Sequence, residues 1–207
     1  AVLIRLCNAP SLVIATYRLG ISTSLVLPLA FLGYRNQIWS GSSRDRLSLL
    51  GSGIFLGLHF ALWITSLSHT SIANSVLLVS TSPIFVGLGG WLILKEPVNS
   101  RMALGITIAL IGTAILAFST QGEGRHTLYG DFLALCGALT LSGHLLIGRK
   151  QRQNFNLIPY IALTSTVATT VLAFLTSASG YTFIGYNNLT YLLFSLLALG
   201  PQLLGHT

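Results

Sequence analysis

Long apolar runs divided by short polar gaps organise this chain. The runs cover about Pro10–Gly33, Leu47–Leu67, Ile72–Leu94, Met102–Thr120, Tyr129–Gly148 and Ile158–Ala178. A last run begins near Tyr191 and continues to Thr207, and residues 1–8 read as the tail of an earlier one. A helix crosses a bilayer core with about 20 apolar residues, so the pattern predicts six complete transmembrane helices and two partial ones. The expected fold is all-α, a polytopic transmembrane helix bundle. Half-spans at both ends predict a piece of something longer, because backbone groups in hydrocarbon must be satisfied within helices.

Composition sharpens this picture. Of 207 residues, 52% are hydrophobic and 7% are charged, against about 25% charged in ordinary soluble domains. That excludes a soluble enzyme or a soluble nucleic-acid-binding domain. The net charge of +7 comes from basic residues in the gaps. Arg35, Arg44, Arg46, Lys95, Arg101, Arg149, Lys150 and Arg152 fall in alternate gaps, and only Arg5 and Arg125 fall in the others. Cytoplasmic loops carry the excess of Lys and Arg, so the basic loops are expected in the cytoplasm. The expected location is the inner (cytoplasmic) membrane of a bacterium. Cys7 and Cys136 show neither metal-ligand spacing nor a disulfide framework.

Candidate chemistry is sparse. There is no H-E-x-x-H, G-x-S-x-G or P-loop motif, so neither an enzyme nor a cofactor or metal is expected. Gly122-Glu123-Gly124 reads as a turn, and Asn188-Leu189-Thr190 as a sequon in an outside loop. Gly53 and Gly57 form a G-x-x-x-G step, which favours close helix packing.

Arg18 is the sharpest single feature. It lies about eight residues, or roughly 12 Å, inside its span, where an Arg costs about 2.5–3.5 kcal/mol on insertion scales. Either it contacts a substrate anion, or it is structural and pins helix ends. His59 and Trp63 are four apart and share a helix face. His59, and likewise His144 with Thr140, either relay protons or hydrogen-bond between helices. Asn74 begins a hairpin arm, where it lines a cavity or caps the helix. Pro83, midway along its run, removes a backbone hydrogen bond and kinks the chain, a hinge or a packing feature. Glu96 beside Lys95 reads as a boundary ion pair or gate contact, and Asp131 as a helix N-terminal carboxylate.

Several ordered segments carry a family resemblance. Ala9-Pro10 through Ala15-Thr16-Tyr17-Arg18, Ala61-Leu62-Trp63-Ile64-Thr65-Ser66-Leu67 with Thr70–Asn74, and Thr81-Ser82-Pro83-Ile84-Phe85 closing on Lys95-Glu96-Pro97 resemble EamA-type transporters of the drug/metabolite transporter superfamily. Gly105, Gly112 and Gly130-Asp131 match later positions. The resemblance implies ten helices in two inverted five-helix repeats, with residues 1–120 in the first and 129–207 in the second. One internal echo accompanies it: Leu56-Gly57 before His59 and Trp63 is similar to Leu199-Gly200 before Gln202 and His206.

The resulting expectation is a secondary transporter, a permease or exporter of small organic metabolites such as amino acids or related solutes. It would work by alternating access, with Tyr17, Arg18, His59, Trp63, Asn74, His144, Gln202 and His206 lining a central polar cavity and Pro83 and Glu96 serving as hinge or gate. The expected partners are the small-molecule substrate, protons as coupling ion, the lipid bilayer and a second copy in a homodimer, with no nucleic acid. The rival class is a polytopic receptor or scaffold, which would lack a second half mirroring the first.

Overall fold

The computed structural model describes residues 2–95, 100–119 and 127–204. In chain order the helices are α1 (Val2–Leu6), α2 (Ser11–Ser40), α3 (Ser43–His69), α4 (Ile72–Val79), α5 (Ser82–Leu94), α6 (Ser100–Ser119), α7 (Leu128–Gln151), α8 (Leu157–Ala178) and α9 (Asn188–Leu197). A π-helical segment, Ala198–Leu204, follows α9 directly. Among the described residues five stretches are long and apolar enough to cross a bilayer: Ser11–Ile38, Ser43–His69, Ile72–Ile93, Leu128–Gln151 and Leu157–Ala178. The remaining expected span, Met102–Thr120, corresponds to α6, and Thr120 itself lies outside the described residues.

Local chemistry sets the helix ends. Ser42 and Asp45 form a reciprocal capping box at the start of α3, at 3.2 and 3.1 Å. Thr127 accepts from Gly130 N–H at 3.1 Å to open α7. Ser71 caps α4 by accepting the Asn74 backbone N–H at 3.1 Å, so the cap is Ser71 and Asn74 is its donor. Asn187 accepts Thr190 N–H at 2.8 Å and starts α9 three residues before the expected Tyr191. The Asn188-Leu189-Thr190 triplet is therefore the first turn of a helix, not loop. In α2 the backbone leaves helical geometry at Tyr34 (φ −135°, ψ 24°), where the expected apolar span ends.

The third span is broken in two. Pro83 lies in the first turn of α5, where its missing N–H interrupts the ladder. The Ser80 and Thr81 hydroxyls donate to the carbonyls of Val76 and Leu78 at 2.8 and 2.6 Å. From α7, Ser142 donates to the Ser82 carbonyl at 3.0 Å. The Val76 and Leu78 carbonyls also accept the Ser80 and Thr81 backbone N–H groups, at 2.9 and 3.2 Å, so the hydroxyls add second bonds around the break.

Around this break the bundle is centred on α3, which packs on α7 and α8, while α2 packs on α8. Glycine makes the α3–α8 contact possible. A Cβ on Gly53 would lie 2.5 Å from Val167 Cβ and 2.8 Å from the Thr164 carbonyl oxygen, and one on Gly57 would lie 3.0 Å from the Ala168 carbonyl oxygen. Hydroxyl pairs join α2 to α8, Thr16 with Thr176 at 2.9 Å and Thr23 with Thr169 at 3.2 Å.

The C-terminal end of α3 is tied on two sides. Arg5 donates through Nε and Nη2 to the Leu67 carbonyl, at 3.2 and 3.0 Å, and through Nη2 to that of Thr70. A cation there also meets the negative end of the helix dipole. On the other side Thr127 donates to the His69 carbonyl at 2.7 Å, and Thr70 donates to Asp131 Oδ1 at 2.7 Å.

Candidate functional site

Arg18 projects from α2 into the interior and is 1% exposed. Its Nε donates to Gln202 Oε1 at 3.0 Å. Its Cζ lies 4.9 Å from the Phe60 ring centroid and 5.4 Å from that of Trp63. A desolvated guanidinium over aromatic faces gains about 2 kcal/mol or more from each ring's quadrupole. Arg18 Nη2 is buried and has no hydrogen-bond partner among the described residues, and the same holds for Trp63 Nε1. Of the chain's four carboxylates, Asp45 is held by Ser42 and Asp131 by Thr70, while Glu96 and Glu123 lie outside the described residues.

The helical period of α3 brings His59 into this group. His59 is 1% exposed, and its ring stacks on Trp63 at 5.8 Å and 13°. Its Nδ1 lies 2.9 Å from the Gly137 carbonyl of α7. A carbonyl only accepts, so this nitrogen carries the hydrogen. Thr140 donates to the same carbonyl at 3.0 Å. Gln202 is 7% exposed and arrives on the π-helical segment, which also contains Pro201. Such wide turns are rare and recur at functional sites.

Four of the expected residues, Arg18, His59, Trp63 and Gln202, therefore meet. Two others lie in separate clusters. Tyr17 donates to the Phe183 carbonyl at 2.7 Å and stacks on Phe194 at 4.6 Å. It faces a crevice of about 380 Å³ with Gly20, Ser24 and Thr169. His144 has Nδ1 3.1 Å from the Ser52 carbonyl and 2.9 Å from Ser52 Oγ, which lies 2.7 Å from the Tyr160 hydroxyl. Ser52 is two helical turns, about 10 Å, from His59 along α3. Asn74 sits in the first turn of α4. His206, Glu96 and the Gly122-Glu123-Gly124 turn lie outside the described residues.

Phe60, Tyr160 and the Gly137 carbonyl are not among the participants expected from sequence. Phe60 is next to His59 and three residues before Trp63, a signal open to reading. A backbone carbonyl has no side-chain signature.

Among the described residues this buried cation is held by an amide and two rings, and similarity to known proteins gives the family. The EamA-like transporter family matches residues 1–118, more than half of the chain. The chain belongs to this family. Residues 1–118 include Arg18, His59, Trp63, Asn74 and Pro83, whereas Gln202 comes from beyond them.

Individual relatives agree. Solute carrier family 35 member G1 of Mus musculus is 24% identical over 203 residues, 92% of this chain and 55% of that protein. An uncharacterized transporter of Archaeoglobus fulgidus is 26% identical over 140 residues, 66% of this chain and 47% of that protein. The uncharacterized transporter YdfC of Bacillus subtilis is 27% identical over 155 residues, 73% of this chain and 48% of that protein. The chain spans about half the length of these relatives. No solved structure matches it. Family and helices together make it an integral membrane protein of a transporter family, whose members handle small-molecule substrates within a lipid bilayer.

Proposed function

We propose that this EamA-like chain forms part of a secondary transporter, not an enzyme, that moves small organic metabolites such as amino acids or related solutes by alternating access. The observation that carries this reading is the buried Arg18, held by Gln202 and two aromatic faces, with one terminal nitrogen unpartnered among the described residues. An intramembrane charge facing the bundle interior marks a ligand or ion pathway. Arg18 attracts an acidic group of the solute, Phe60 and Trp63 wall the site, and His59 orients it. The broken α4–α5 helix supplies a hinge.

The repeat organisation is part of the same proposal. Helices α2 and α3 begin at Ser11 and Ser43, and α8 and α9 begin at Leu157 and Asn188 after similar intervals. Helix α1 packs on α9 as α3 packs on α7, and α2 meets α8. Both features suit two related halves, about residues 1–120 and 129–207, of a ten-helix inverted-repeat plan. Basic loops in the cytoplasm, a bacterial inner membrane, proton coupling through the histidines and a homodimer complete the reading.

The test is flux. Full-length protein in vesicles is given a panel of anionic, zwitterionic, neutral and cationic metabolites under two imposed pH gradients. Gradient-dependent movement of an anionic or zwitterionic solute supports the reading, and no flux of any solute from folded protein overturns it.

A further inference from the structure

Arg18 and Gln202 meet in a way that leaves half of a binding edge unused. The Nε–H and one Nη2–H of a guanidinium point the same way, and this pair matches the two oxygens of a carboxylate. Here the edge holds one amide oxygen, Gln202 Oε1, on Nε at 3.0 Å, while Nη2 has no partner among the described residues. Trp63 Nε1, on the ring that faces the guanidinium, is a second buried donor without an acceptor there. Buried donors are ordinarily satisfied, and these two orphans belong to side chains packed against each other. The surroundings are aromatic rings and an amide, so no carboxylate among the described residues balances the guanidinium charge.

We propose that the group this site takes from its ligand is a carboxylate, and that Gln202 is the internal stand-in which holds Arg18 until that carboxylate displaces it. The transport reading supplies only the step after binding; the donor inventory supplies the ligand's chemistry. An amine would add charge to an uncompensated cation. A neutral carbonyl would satisfy a donor and leave the charge. A phosphate dianion would exceed the single positive charge and leave a net negative charge among aromatic rings, which is costly. A carboxylate matches in charge, in number of oxygens and in plane. The indole N–H of Trp63 then bonds one of its outward lone pairs.

One variant separates these cases. Gln202→Glu puts a tethered carboxylate on the Arg18 edge and should shut the site to any other. The experiment measures thermal unfolding of the full chain in detergent with butyrate, butylammonium and butyl phosphate at matched concentrations. Butyrate should stabilise the native protein more than either of the others. Gln202→Glu should melt higher than the native protein without ligand and show no butyrate response. Trp63→Phe keeps the ring and loses the N–H, and its butyrate affinity should fall about tenfold, as for one charge-assisted hydrogen bond.

Stabilisation by butylammonium, an equal or larger response to butyl phosphate, or a native butyrate response in Gln202→Glu overturns the proposal. So does an absent butyrate response in the native protein. Vesicle flux on the same variants separates the two readings. A butyrate response lost in Gln202→Glu, without flux of any solute, keeps the carboxylate site and removes transport. Flux of a neutral or cationic solute that is indifferent to Gln202→Glu keeps transport and removes the carboxylate site.

Discussion

Arg18 and Gln202 are 184 positions apart in sequence, and they meet as guanidinium Nε and amide Oε1 at 3.0 Å. One comes from α2 near the start of the chain, the other from the π-helical segment near its end. Any motion that separates these elements exposes a buried cation, and any group that replaces the amide must offer oxygen. The contact therefore couples what the site holds to how the two ends of the described chain sit together.

Close packing of α3 on α8 should be intolerant of volume. A Cβ on Gly53 would fall 2.5 Å from Val167 Cβ and 2.8 Å from a backbone oxygen, and backbone cannot rotate away. Gly53→Val is expected to destabilise the protein by about 1–3 kcal/mol or more. A thermal melt in detergent reads this, and an unchanged midpoint would contradict such tight packing. Gly105, where an added Cβ would meet nothing within 4 Å, is the matched control and should tolerate Ala.

The tie between α3 and α7 is a buried hydroxyl on a carboxylate. Thr70 is fully buried and donates to Asp131 Oδ1 at 2.7 Å. Thr70→Val preserves shape and removes the donor, which should cost about 1.5–3 kcal/mol for a hydrogen bond to a charged group. Asp131→Asn should cost less, because an amide oxygen still accepts. Equal losses in the two variants would argue against a charge-assisted bond.

Pro83 gives a kinetic prediction. Around the break between α4 and α5 the Val76 and Leu78 carbonyls accept both backbone N–H and hydroxyl donors from Ser80 and Thr81, and Ser142 bonds the Ser82 carbonyl, so this pairing does not depend on the proline. Pro83→Ala lets the ladder close across the break and stiffens a segment proposed to hinge. Transport turnover should fall severalfold while half-saturation for the solute stays near its native value. A loss of affinity with unchanged turnover would place Pro83 in packing of the site instead.

Much of this architecture is legible along the chain, for definite physical reasons. Apolar runs are local signals, so the sixth run falls within a residue of the observed ends of α8, Leu157 and Ala178. His59 and Trp63 share a face by helical period alone, and the depth of Arg18 in an apolar run marks it as an intramembrane charge. Other features depend on the partner helix. Whether a histidine on α7 faces Arg18 or Ser52 is set by rotation of the whole helix, which a weak apolar stripe leaves open; His144 faces Ser52 and Tyr160. The Asn187 cap stands outside the last apolar run, so hydropathy alone starts α9 too late. The wide turn at Ala198–Leu204 has no periodic signature, although it is what delivers Gln202.

The central claim is that Arg18 binds what the protein moves. Its most direct test is flux of a carboxylate-bearing solute into vesicles containing the full-length protein, compared with Arg18→Lys and Arg18→Ala at equal amounts of folded protein. Lysine keeps the charge and loses the two-pronged edge. Flux per folded protein should fall about tenfold or more in Arg18→Lys, as for one lost charge-assisted hydrogen bond, and vanish in Arg18→Ala. Native flux in a folded Arg18→Ala protein would contradict the claim and leave Arg18 a structural pin.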